Sequence, residues 1–240
     1  NRQRVFCELP KEGEPNTTYT GTGKDYDKFM DYIGNDKNVS VIYADVSTGS
    51  SYPNDDPAAC LAGKVASYNP HDSLTLAPIN ISLDSRATPM EKLAWDEGNI
   101  ICVFRNEDLG FSTDQLSYGH TFAGTTPSNR ICNVRCKYIV EYNILQTLSA
   151  LLSRSDQPSI SKSGLRLIID VVEAKLNTLE SQGIINAADQ RQVRIPLLEN
   201  GTDEEWTAAN LSLTVPAMYI FWDWKNAVEK IKITQFGEVL

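Results

Sequence analysis

Histidine is scarce in this chain: His71 and His120 are the only two in 240 residues. That leaves few general bases and few imidazole metal ligands. No apolar run approaches the ~18–20 residues needed to cross a bilayer, and the start of the chain lacks the basic, apolar, small-residue order of a signal peptide. Lys and Arg form no block that could track a phosphate backbone, and 22 basic against 31 acidic residues leave a net charge of −9. Neither nucleic-acid binding nor membrane insertion is therefore expected. The five cysteines, Cys7, Cys60, Cys102, Cys132 and Cys136, sit in apolar stretches without a Cys-x-x-Cys pair, and read as reduced, buried residues of a cytosolic product. Five Asn-x-Ser/Thr sequons, from Asn16, Asn38, Asn80, Asn200 and Asn210, follow from the abundance of those residue types and do not argue for secretion.

What is present is a well-cored globular composition. Hydrophobic residues are 41%, and 14 glycines with 11 prolines are too few for a collagen-like or low-complexity chain. A chain of this size buries on the order of 70–75% of its unfolded surface. It begins at Asn1 and opens almost directly into the strand-like run Arg4–Leu9, from which a missing earlier segment is expected.

From residue 4 to about 104 strands and helices alternate, as in an α/β layered domain. Asp25 is positioned to cap a helix presenting Tyr26, Phe29, Met30 and Ile33 and ending at Gly34. Asp56-Pro57 supplies a cap and a first-turn proline for an alanine-rich helix to about Tyr68. Thr88-Pro89-Met90-Glu91 combines a capping box with a proline start, and Gly98 is expected to end that helix before the buried-strand run Ile100–Phe104. Further strands are predicted over Val39–Val46 and Leu76–Leu83, in a mostly parallel sheet.

The Gly124–Asn129 stretch marks a boundary near Thr126. Beyond it, Ile131–Val134 reads as a strand leading into a helix with Tyr138, Tyr142, Leu145, Leu148 and Leu152 on one face. A second long helix carries Leu165, Ile168, Val172, Leu176 and Leu179 and stops at Gly183, with strand runs after it. In the last run, Lys230-Ile231-Lys232-Ile233-Thr234, period-two alternation sets the isoleucines on one face and the lysines on the other. That suits a guarded edge strand.

Candidate chemistry is thin. Asp45, His71 and a later serine follow a triad order that a hydrolase could use, but His71 lies in a loop-like Asn-Pro-His-Asp and no serine sits in a Gly-x-Ser-x-Gly turn. Asp55 and Asp56 could hold a cation, though Asp56 already serves as a cap. Gly21-Thr22-Gly23-Lys24 lacks the spacing of a phosphate loop, and Asp25 would oppose the phosphate. Cys132 and Cys136 have no histidine nearby to complete a zinc site. Trp206, Trp222 and Trp224, with Tyr219 and Phe221, could form a sugar-binding platform, but such residues more often pack cores or interfaces. No cofactor is expected.

One series of segments resembles a known family. Tyr118-Gly119-His120-Thr121, then Arg130-Ile131-Cys132-Asn133-Val134-Arg135 and a long helix, resembles the contractile tail sheath proteins of bacteriophages and related injection machines. Val41–Val46, the Pro57–Tyr68 helix, Leu93–Phe104, Gly183-Ile184-Ile185 and a terminal strand around Val228–Thr234 follow in family order. The sequence departs from the pattern at Cys136 and His120, where the family carries arginines. The resemblance implies a non-catalytic, subtilisin-like α/β domain over residues 1–126, preceded by a further segment. It implies an α+β C-terminal sheath domain over 127–240, ending in a linker strand, Lys230–Thr234, that adds to a neighbour's sheet. The implied protein is not an enzyme but a structural subunit of a virion tail assembled in the host bacterial cytoplasm. Its implied partners are copies of itself, the tail tube protein, and baseplate and tail terminator proteins.

Overall fold

The computed structural model describes residues 5–8, 36–46, 56–81, 83–86, 88–105, 112–124, 126–186, 193–215 and 217–224. The helix expected from Asp25 and the strand Lys230–Thr234 lie outside them. Helices and strands are mixed, in keeping with an α/β chain, and the residues form two compact units that divide between Val134 and Arg135.

In the first unit, β1 (Val5–Glu8), β2 (Val39–Tyr43), β5 (Ile101–Phe104) and β6 (Gln115–Leu116) form one sheet in the order β1-β2-β5-β6. The β1–β2 and β2–β5 pairs are parallel and β5–β6 is antiparallel. A short pair, β3 (Asp45–Val46) with β4 (Leu83–Ser85), lies apart from it. Parallel neighbours need a long crossover; between β2 and β5 it contains α1 (Pro57–Ser67) and α2 (Pro89–Glu97). Every residue of β5 is buried, as a strand covered on both faces requires. Leu61 and Val65 of α1 pack with Ile42, Ile101, Val103 and Leu116 in the core, while Trp95 of α2 stacks on Tyr43 at 4.4 Å between ring centroids.

Local sequence explains the helix ends. Asp56 accepts from the Ala58 and Ala59 amides ahead of Pro57, as expected. The left-handed residue after α2 is Asn99, at φ 58°, rather than Gly98; Ile100 N–H donates back to Trp95 O and Asn99 N–H to Asp96 O. Asparagine is among the few non-glycine residues that tolerate this conformation. The strand expected over Leu76–Leu83 is only partly regular. Its backbone bonds to 114–116 through Leu76 N–H to Leu116 O and Ile79 N–H to Asp114 O, but Pro78 interrupts the ladder. Asp114 is held there by two guanidinium groups, Arg86 Nε at 2.6 Å and Arg105 Nε at 3.1 Å. Burial alone would raise its pKa, but the bonds and charges of these arginines outweigh it and hold the carboxyl below its ordinary range.

The second unit is built on α3 (Ile131–Leu152) and α4 (Lys162–Ser181). The expected strand Ile131–Val134 is helical instead. All four of its residues are buried, so no alternation could distinguish strand from helix; a 3-10 turn, Pro127–Asn129, precedes the helix. On α4, Leu165, Val172, Leu176 and Leu179 are buried as expected. Gly183, at φ 72°, closes it with Ile184 N–H donating to Leu179 O and Gly183 N–H to Glu180 O. Between Gly183 and Trp224 the chain does not consist of strand runs alone: α5 (Pro196–Asn200) and α6 (Asp203–Ser212) intervene. A Thr202–Glu205 capping box starts α6, a sequence signal that was available to be read.

Leu213 ends α6 in the left-handed region at φ 52°, with 83% of its surface exposed. Leu213→Gly removes the Cβ strain and little burial. The net gain expected is about 0.5–1 kcal/mol after the extra unfolded-state entropy of glycine; a urea midpoint that stays level or falls would contradict this account.

Candidate functional site

The residues proposed for chemistry do not assemble. His71 Nε2 lies 3.4 Å from Oδ1 of its neighbour Asp72, and its buried Nδ1 has no hydrogen-bond partner, so no serine is bonded to the imidazole. Asp45 contributes its backbone to the β3–β4 pair. Asp56 is occupied as a cap, and Asp55 lies outside the described residues. Cys132 and Cys136 are buried side chains in the first turns of α3, and among the described residues no three His, Cys, Asp or Glu side chains group as metal ligands. Burial pushes the Cys102 thiol up to about 12, which makes it a poor nucleophile. Trp206 packs with Leu165, Ile195, Leu197 and Ala209, and Trp222 against the core beneath α3 and α4. These two tryptophans are packing residues, not an open platform.

Two features do stand out, neither of them catalytic. The first is the segment around Tyr118–Thr121, which laces the sheet to the start of α3. Ser117 exchanges bonds with Cys102 of β5, its N–H donating to Cys102 O and its Oγ accepting from Cys102 N–H. Gly119 O accepts from Ile131 N–H at 2.9 Å, Thr121 N–H donates to Asn129 O, and Phe122 N–H donates to Val39 O. Glycine is required at 119 because a Cβ there would come within 2.9 Å of Leu74 Cβ. Asn133 Nδ2 donates to Pro127 O and ties the 3-10 turn to the helix. His120 lies inside this lacing, 4% exposed, with Nδ1 3.3 Å from Thr121 O and no hydrogen-bond partner at Nε2.

The second feature is a two-stranded ribbon in the second unit. Tyr219–Trp224 runs as one extended segment. Its first part, β9 (Tyr219–Ile220), pairs antiparallel with β8 (Val193–Arg194), and its last, β10 (Asp223–Trp224), with β7 (Ile185–Asn186). Period-two alternation is obeyed throughout. Ile185, Val193, Ile220 and Trp222 face the core formed with α3 and α4, while Asn186, Arg194, Tyr219, Phe221 and Asp223 are exposed. Among the described residues no third strand joins either pair.

The fold as a whole is similar to that of solved structures. Over 98% of its length the chain matches a sheath subunit of an extracellular contractile injection system, the PVC sheath complex in the contracted state, with a TM-score of 0.70 and 14% identity, covering 64% of that chain. It matches the anti-feeding prophage helical sheath in the contracted state over 98% of its length, with a TM-score of 0.67 and 15% identity, covering 61% of that chain. The chain has the fold of contractile sheath proteins. A sheath tail protein from Listeria innocua shares this fold over 80% of the chain and 50% of its own, with a TM-score of 0.54 and 14% identity. The chain thus spans less than two thirds of the length of the sheath subunits it matches. No family profile and no curated protein matches the sequence. The segments that resemble sheath proteins in sequence, Tyr118–Thr121 and Gly183-Ile184-Ile185, are in this chain the lacing segment and the entry to the ribbon.

The buried His120 makes the lacing sensitive to acid. Burial lowers its pKa, and the contact with the Thr121 carbonyl only partly opposes this. Protonation therefore favours the unfolded chain: the stability due to neutral His120 is complete above the unfolded value of ~6.5 and is lost as pH falls from there toward the lower folded value. His120→Gln cannot titrate, so the stability difference between the native protein and this variant is expected to shift against the native protein between pH 7 and pH 5. Stability–pH curves that run parallel would remove His120 from this role.

Proposed function

We propose that this chain is a structural subunit of a contractile sheath, one that polymerises helically around a rigid tail tube and contracts to drive the tube through a target cell envelope. The observation that carries the reading is the likeness to sheath subunits across 98% of the chain. The solved relatives are structural proteins, and the failure of His71 to meet a serine leaves the hydrolase reading without support. In this proposal residues 1–126 form a non-catalytic, subtilisin-like layered domain and 127–240 the C-terminal sheath domain. The partners are further copies of the chain, the tube protein, and baseplate and terminator proteins, in a particle tail built in the bacterial cytoplasm.

The physical basis is strand addition. Main-chain hydrogen bonds to an open ribbon edge join subunits without specialised side-chain chemistry. Lys230, Ile231, Lys232, Ile233 and Thr234 have the alternation of such a donated strand, with lysines that discourage pairing with the wrong edge. A strand donated head to tail is a heterologous contact, and heterologous contacts that do not close generate helical tubes. Contraction is then a rigid-body rearrangement between two packings while the strand links hold.

Negative-stain electron microscopy of the protein, expressed alone and concentrated at moderate salt, is expected to reveal tubes of uniform diameter. Dispersed globular particles at every concentration would overturn the reading.

A further inference from the structure

The two long helices of the second unit treat solvent differently. On α4 most exposed positions are polar, as at Arg166, Asp170, Asn177 and Ser181, and Leu167, 43% exposed, is the one large apolar side chain among them. On α3 the buried face is Cys136, Val140 and Ile144, yet the opposite face exposes Tyr142 and Leu145, each at 65%, and Leu152 at 54%. Tyr138, Tyr142, Leu145, Ser149 and Leu152 follow alternating steps of four and three, the spacing of a helix seam meant for a partner. No charged residue occurs from Tyr142 to Ser153, and a surface depleted of charge is the mark of an interface centre.

The unit carries a mixed surface on its other side, two aromatic side chains flanked by the exposed Asn186, Arg194 and Asp223. The inner residues of the ribbon share one core with the inner face of α3. The outer face of the ribbon and the outer stripe of α3 are therefore the back and front of the same layered module. On that back, Tyr219 and Phe221 are 53% and 51% exposed. The stripe from Tyr138 to Leu152 is about 21 Å long at 1.5 Å per residue, and the segment Tyr219–Trp224 about 17 Å at 3.3 Å per residue, so one fits along the other.

We propose that the α3 stripe of one copy docks on the outer ribbon face of a second copy, giving a front-to-back contact. Two observations select a second copy as the occupant. One module presents both the apolar stripe and an aromatic patch, Tyr219 and Phe221, set between Arg194 and Asp223, and in a chain of net charge −9 the uncharged stripe is a surface on which like copies meet without mutual repulsion. Such a contact is heterologous and propagates in one direction. The inference rests on the self-assembly reading and names the surfaces that set the subunit stacking beside the strand links.

The test uses the whole chain in three forms: native, Tyr142→Glu with Leu145→Glu, and Tyr219→Glu with Phe221→Glu. All four side chains are more than half exposed, so thermal melts are expected to stay close to native; Leu145→Ser and Phe221→Ser serve if either pair fails to fold. Sedimentation is expected to place the assembly concentration of each variant at least tenfold above native, with an equimolar mixture of the two gaining a dimer through the one intact pair of faces. Native-like assembly by both variants would overturn the contact and leave self-assembly standing. Loss in the helix variant alone, with no dimer in the mixture, would overturn the ribbon as its partner. A native chain that stays monomeric at every concentration would remove the contact and the self-assembly reading together.

Discussion

A two-stranded ribbon has no independent stability in water, so the second unit depends on the apolar layer beneath it. Ile185, Val193, Ile220 and Trp222 are held against Cys136, Val140, Ile144, Val172, Leu176 and Leu179, and this burial fixes the register of both strand pairs. Because side chains in a strand alternate with period two, a slip by one residue would turn Ile220 and Trp222 out and Tyr219 and Phe221 in. The layer therefore determines which backbone edge is offered for pairing and which aromatic residues face outward. The Gly183 turn, which reverses the chain from α4 into β7, contributes to the same layer through Leu179 and Ile184.

The contrast between α3 and α4 bears on the self-assembly proposed for this chain. A helix covering a core needs one apolar stripe. α4 has one, and its remaining surface is mostly polar, with Leu167 the single large apolar side chain exposed there. α3 has two on opposite sides, and only one of them is used within the described unit. The inner stripe secures the fold of the single chain, while the outer one contributes nothing to it and leaves large apolar side chains in water. A surface of that kind is consistent with a partner.

Much of the first unit was legible because its signals are local. Asp56 caps α1 ahead of Pro57 and a proline opens α2 at Pro89, and in the second unit the left-handed Gly183 closes α4, each through requirements that depend on a few neighbouring residues. The misreadings arose where burial comes from distant parts of the chain. Ile131–Val134 is buried on every side, so its β-branched residues outweighed a helical fate set by the preceding Pro127–Asn129 turn. The stripe Tyr138–Leu152 has true helical periodicity, but two apolar faces on one helix give no indication of which looks inward. Glycine at 98 drew attention from Asn99, the residue that adopts the left-handed turn. At the candidate site, Tyr219 and Phe221 were noticed as aromatic residues, whereas their outward orientation needed the pairing with Arg194 to become visible.

These same distinctions explain how a sheath fold persists at 14–15% identity with no family profile matching. An active site constrains particular functional groups at particular positions, and divergence that removes them removes the activity. A layered fold with open strand edges places looser demands on side chains, since apolar residues of similar volume are exchangeable in a core and main-chain hydrogen bonds depend little on residue type. In this chain the strict demands are on backbone geometry: a residue able to sit left-handed at 99 and 183, and no Cβ at 119, where the chain passes against Leu74. Resemblance in such a protein should therefore survive as a sparse, ordered series of turn and packing signals rather than as a dense motif. The segments Tyr118–Thr121 and Gly183–Ile185 are signals of this kind, one bonded within the first unit to Asn129 and Ile131 and the other starting the ribbon.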